Sequence, residues 1–233
     1  MTWTRKMGSV PVFLVLVSVA HAQTQLDPRL MPAVGALRLG DHAQAIDVLK
    51  PFVAKNDADA QYLMGVAMES LPEPRRDLAA AYQWYLKGAQ NGSASAKNSL
   101  GAMAYSGRGM DKDLAEAVRW FRAAAEAGHA EGQYNLGMRY LDGEGVQQNA
   151  AEAVAWFRRA ADQGHSWGQL YLGAALQKGV GAPRDLAAAH GWILKAAESG
   201  NKPAMRELAR IYRMGLGVPS DDSRAATWEE RSK

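Results

Sequence analysis

Residues 130–164 read AEGQYNLGMRYLDGEGVQQNAAEAVAWFRRAADQG, and this stretch decides the fold. Gly132, Leu136 and Tyr140 fall at i, i+4 and i+8, one face of a helix running from Ala130 to Leu141. Gly143-Glu144-Gly145 ends that helix, because glycine enters the left-handed conformation that turns the chain. Asn149 then reads as the N-cap of a second helix, with Glu152 three positions on in a capping-box arrangement. In that helix Ala153, Trp156, Phe157 and Ala160 fall at i, i+3, i+4 and i+7, an apolar stripe that must be buried. Gly164 stops it.

Working outward, the same stretch recurs with a period of 36. Trp84, Trp120, Trp156, Trp192 and Trp228 form one column, and Gly92, Gly128, Gly164 and Gly200 another. Gly65, Gly101, Gly137 and Gly173 make a third, whose fifth member is Ala209. Ala81, Ala117, Ala153, Ala189 and Ala225 make a fourth, and Asp77, Asp113, Asp185 and Asp221 share the capping column of Asn149. One short helix pair cannot bury its stripe alone, so neighbouring pairs must stack. The prediction is an all-α fold, a right-handed superhelical α-solenoid of helix-turn-helix repeats. N-terminal capping helices are expected over 23–57, with Pro28–Asn56 a divergent repeat. Repeats follow over 58–92, 93–128, 129–164 and 165–200, then a shortened unit over 201–233. The small residues let helix axes approach, and the Trp column is expected to fill the space between layers.

These columns resemble the Sel-one-like repeat family, relatives of the tetratricopeptide repeats. The matching features are Leu136-Gly137, Gly143-x-Gly145-Val146, Asn149, Ala153-x-x-Trp156-Phe157, Ala160-Ala161 and Gly164-His165, with equivalents from Ala58 to Lys233. The first repeat departs by carrying Leu71-Pro72-Glu73-Pro74 where its siblings have Gly-x-Gly. The resemblance implies a bacterial binding scaffold, its exported relatives being linked to envelope assembly, signalling or host interaction. Some cysteine-rich relatives bind or hydrolyse penicillin-type compounds. This chain has no cysteine, so that activity is not carried over.

Composition sets the compartment and excludes several partners. Arg5 and Lys6, the apolar run Val10–Ala20 and the Ala20-His21-Ala22 ending are the three parts of a secretory signal peptide over residues 1–22. Cleavage after Ala22 leaves 211 of the 233 residues, in the periplasm or secreted, with no membrane span in the mature chain. Removing Arg5 and Lys6 from the 27 basic residues leaves 25 against 24 acidic, a balance of +1. That near-neutral chain has no electrostatic footprint for nucleic acid. Without cysteine there are no disulfides, no thiolate catalysis and no Cys-ligated zinc.

The chemistry-bearing residues do not converge. His129 and His165 are 36 apart, directly after a repeat-closing glycine, which points to a structural role at a helix start. His42 and His190 stand alone on predicted helices, and no His-x-x-x-His pair places two ligands on one helical face. Asp142 and Glu144 lack the other ligands of a calcium loop. Ser199-x-x-Lys202 straddles a repeat boundary without the partner motifs of a serine acyl-transfer site. No metal, cofactor or catalytic group is predicted.

A partner surface is then sought where residues vary on a constant frame. Positions two before and two after the Leu136 column point away from it at 100° per residue. They hold Tyr62/Val66, Asn98/Ala102, Tyr134/Met138, Leu170/Ala174 and Arg206/Arg210. Trp167 stands in a column otherwise occupied by Asp59, Ser95, Glu131 and Pro203. Together these residues are expected to line a concave groove with aromatic anchors and a cationic end, suited to an extended peptide or a partner helix. The alternative is that Tyr134, Met138 and Leu170 pack between adjacent repeats. Two other functions stay open: a binder or hydrolase of cell-wall fragments, and a structural subunit of an envelope assembly.

Overall fold

The structure is a computed structural model that describes residues 27–233. The predicted signal peptide, residues 1–22, lies outside the described residues. After a 3-10 turn at Pro28–Leu30 come twelve helices, and the described residues contain no strand. The opening pair is α1 (Met31–Arg38) and α2 (His42–Val53). Five further pairs follow: α3 (Ala58–Ser70) with α4 (Leu78–Gln90), α5 (Ala94–Ser106) with α6 (Leu114–Glu126), α7 (Ala130–Asp142) with α8 (Ala150–Asp162), α9 (Ser166–Lys178) with α10 (Leu186–Glu198), and α11 (Lys202–Met214) with α12 (Asp222–Arg231). The helices gather into two compact units that divide at Ala123, within α6.

The ends of these helices follow from their sequences. Asp77, Asp113, Asn149, Asp185 and Asp221 each accept a hydrogen bond from a backbone N–H in the first turn of a second helix. At the other end, α5, α7, α9 and α11 close on Gly107, Gly143, Gly179 and Gly215, all left-handed at φ between 64° and 73°. The second glycine of each turn is needed for a different reason. A Cβ at Gly109 would lie 2.7 Å from the Leu78 carbonyl oxygen, and one at Gly217 would lie 2.5 Å from that of Leu186. The turn therefore rests directly on the N-terminal end of the preceding second helix.

In the N-terminal unit the core is built on Leu30, Leu49, Tyr62, Leu63, Tyr85, Leu100 and Met103. The Glu69 carboxylate is buried there, accepting a hydrogen bond from the Tyr85 hydroxyl at 2.6 Å and ion-paired with Arg108 of the Gly107-Arg108-Gly109 turn. Burial raises the Tyr85 hydroxyl well above its ordinary pKa and lowers that of the Arg108 guanidinium. In the C-terminal unit one cluster forms around Phe157 and Leu172 and a second around Ile193, Leu208 and Ile211.

The Trp column is packed into the layers, with Trp156 and Trp228 buried and Trp84, Trp120 and Trp192 half-buried against the core, but it shares that space. The group that enters the space opposite the glycine column is the next residue. A Cβ on Gly65, Gly101, Gly137 or Gly173 would meet Tyr85, Phe121, Phe157 or Ile193 at 2.5 to 2.6 Å. Each Trp sits about 100° around the helix from that direction, on the flank. There a cation three residues on covers its ring: Lys87 over Trp84, Arg159 over Trp156, Lys195 over Trp192 and Arg231 over Trp228, at 4.1 to 4.4 Å.

Candidate functional site

The residue that opens a first helix caps it, and at two of these helices it also ties adjacent repeats. Ser93 Oγ, His129 Nδ1, His165 Nδ1 and Asn201 Oδ1 each accept the N–H of the residue three positions on. Two of these side chains also reach back to a carboxylate one repeat earlier: Ser93 Oγ donates to Asp59 at 3.0 Å, and His165 Nε2 lies 2.7 Å from Glu131 Oε2. Since His165 Nδ1 accepts from Gly168, it is Nε2 that carries the hydrogen and donates it to Glu131. Both histidines thus have the helix-start role that their spacing indicates. Burial pushes His129 down to about 4, so it is uncharged at neutral pH.

At Trp167 this tie is given up. Trp167 occupies the column of Asp59, Ser95, Glu131 and Pro203, and Asn201 is left with Ser166 Oγ at 3.5 Å. The indole is half-buried on α9, its ring centroid 6.4 Å from that of Tyr171. Tyr171 stacks in turn on Tyr134 and Phe157 at 5.6 and 5.3 Å. Along the same helix lies half-buried Leu170, packed against the cluster that holds Leu208 and Ile211. On α11, Arg206 is exposed. Arg210 donates to Glu207 at 3.0 and 2.6 Å and to Gln177 Oε1 at 3.0 Å. The result is an aromatic and aliphatic strip bordered by two guanidinium groups.

The other predicted groove residues lie elsewhere. Tyr62, Asn98, Tyr134 and Met138 are 1%, 8%, 5% and 8% exposed, and Val66 and Ala174 are buried too. The expectation that they face solvent is corrected by packing. A first helix is covered by its own second helix and also flanked by neighbouring first helices, so the direction opposite Leu136 is a second buried side. Tyr62 packs on Tyr85, and Tyr134 on Phe157, His165 and Tyr171. Tyr171 and Gln177 went unmarked in the sequence, although Tyr171 varies against Leu63, Ser99, Asn135 and Glu207 in its column.

The remaining chemistry-bearing residues are spoken for. Asp142 and Glu144 both pair with Arg139. Ser199 Oγ donates to the Lys195 carbonyl while Lys202 Nζ donates to that of Lys233, so the two do not meet. His190 Nε2 lies 3.2 Å from the Tyr212 hydroxyl beside a recess of about 270 Å³, which Val218, Pro219, Ser220, Asp221 and Arg224 complete. Burial and the charge of Arg224 lower the pKa of His190. Among the described residues no group of three or more His, Asp or Glu is placed to hold a metal ion. None of the described helices is long and apolar enough to cross a membrane.

Comparison with known proteins agrees with this architecture. The Sel1 repeat family matches residues 58–93, 94–129, 130–165, 168–201 and 202–231. A Sel1 repeat protein from Oxalobacter formigenes is 31% identical, over 89% of this chain and 82% of that one, with a TM-score of 0.78. The protein c5321, a protective antigen present in uropathogenic Escherichia coli strains and displaying an SLR fold, is 30% identical over 96% of this chain, with a TM-score of 0.76. This chain spans 48% of that protein's length. A putative Sel1 repeat protein from Klebsiella pneumoniae shares the fold at 19% identity, over 79% of this chain and 89% of that one, with a TM-score of 0.53. No curated protein matches. The chain belongs to the Sel1 repeat family, whose repeats generally mediate protein–protein interaction on a fold that is typically a non-catalytic scaffold.

Proposed function

We propose that this protein is an exported, non-enzymatic scaffold that holds a protein or peptide partner on the first-helix face of its C-terminal unit. One observation carries the reading. In the column where Asp59 and Glu131 tie two of the junctions between repeats, Trp167 places a large aromatic side chain that its own packing only half covers. A large aromatic group set among small and polar counterparts, and left within reach of solvent, marks a contact surface. Export is supported by the signal-like residues 1–22.

The test is site-specific photo-crosslinking in the native compartment, with the crosslinker at Leu170 and, as control, at Ala155 on the exposed side of α8. A discrete crosslinked product is expected from position 170, absent from position 155 and lost in W167A, whose melting temperature stays within a few degrees of the parent. A W167A chain that is strongly destabilised yet still crosslinks would make Trp167 a packing residue and overturn the reading.

A further inference from the structure

We infer that the segment bound on this face is acidic: a peptide stretch with a carboxylate that Arg206 and Arg210 receive, and a neighbouring apolar side chain that lies on Trp167 and Leu170. This rests on the reading of the face given above and adds the chemistry of the partner.

The argument begins with register. The hydrogen bond from Arg210 Nη2 to Gln177 Oε1, 3.0 Å, ties the C-terminal part of α9 to α11. Arg206 stands one helical turn before Arg210, which sets it beside the turn of α9 that begins at Leu170. The apolar strip and the cation are therefore neighbours.

Charge comes next. The α11 helix carries Lys202, Arg206, Arg210 and Arg213 against the single acid Glu207. Three of the four cations are engaged within the C-terminal unit: Lys202 with the Lys233 carbonyl, Arg210 with Glu207 and Arg213 with Glu229 at 2.7 Å. Arg206 is exposed and has no ion pair, so it is the surplus charge of the face. The α9 helix brings no acid, its one charged residue being Lys178. Glu131, from the helix before, is already held by His165.

A carboxylate entering here meets a guanidinium fork at Arg206 and a second one at Arg210, which can share it with Glu207. The aromatic and aliphatic strip beside them lowers the local dielectric and strengthens that attraction. A polyanion is a poorer fit, since one surplus arginine is not the track of cations that a phosphate backbone requires.

The experiment uses the full mature chain and a fluorescein-labelled peptide in which phenylalanines alternate with aspartates, together with the same peptide carrying lysine for each aspartate. Fluorescence anisotropy should show binding of the aspartate peptide that weakens as salt is raised. R206E should weaken it roughly tenfold, the size of one charge-assisted contact. The lysine peptide should bind the parent poorly and R206E better, a swap that a structural role for Arg206 cannot produce. R206Q replaces R206E should the reversed charge disturb folding, and a tenfold loss is again expected. Equal binding of both peptides, or an unchanged affinity in R206E and R206Q, overturns the inference. Should the crosslink at position 170 still depend on Trp167 in that case, the contact face stands and only its acidic partner falls. Loss of the crosslink's dependence on Trp167 removes the face itself.

Discussion

His129 shows how much one side chain can carry in a repeat. Its Nδ1 accepts the Gly132 N–H at 3.1 Å, a role open only to a ring nitrogen without a proton. The imidazole takes a proton near its ordinary 6.5 in the unfolded chain and only near 4 in the fold. Between those values the unfolded state binds more protons, so stability falls as pH drops from about 6.5 toward 4. H129N, which caps without titrating, should flatten that part of the profile in urea unfolding at stepped pH. A second residue-scale case is Gln169, whose side-chain oxygen is buried without a donor. Its counterparts are satisfied across one repeat, Gln61 by Asn91 and Gln133 by Gln163, each at 2.8 Å. The matching position is Ser199, too short, and its hydroxyl turns to Lys195 instead. S199Q should supply the missing donor and raise stability by about 0.5–1 kcal/mol in denaturant unfolding.

At the scale of the helix, two glycines with the same propensity cost have opposite fates. Gly137 faces Phe157, whose ring would lie 2.6 Å from an added Cβ, and that ring is itself almost fully buried. G137A should cost about 1–3 kcal/mol as α7 and α8 are forced apart. Gly191, inside α10, would meet nothing within 4 Å, so G191A should stabilise by about 0.5–1 kcal/mol. Paired thermal melts of the two variants check both signs. The glycine column itself was legible in the sequence because close helix approach demands the smallest residue at a fixed interval. Which bulky residue faces it was not: Trp156 and Phe157 are adjacent, and both lie on the apolar side of α8. The site was legible only in part for a related reason. Periodicity separates one buried face from the rest, but α7 is covered on two sides, and no pattern in Tyr134 or Met138 distinguishes a flank packed by a neighbour from one open to solvent. Trp167 and Arg206 were readable because they break a column or carry charge.

For the whole molecule, the sequence assigns stability to packing and repetition, with no disulfide to share the load. The charge of the chain depends on where it is cut, since the two basic residues Arg5 and Lys6 lie in the predicted signal. Processing after Ala22 should give a product beginning at Gln23, read by intact mass and N-terminal sequencing of the exported fraction. Replacing Ala20 and Ala22 by bulky residues should leave the precursor uncleaved.

The shared grip between successive repeats also bears on how such a chain can change over generations. Because Ser93 opens one helix while holding Asp59 of the previous repeat, and His165 does the same with Glu131, a cut between the members of either couple does not yield a self-contained module. A duplication or recombination that moves one member of such a couple strands the other. At these two junctions the inheritable unit is therefore a pair of positions 34 residues apart, and exchange between copies of the repeat should preserve the couple even where the residues around it drift.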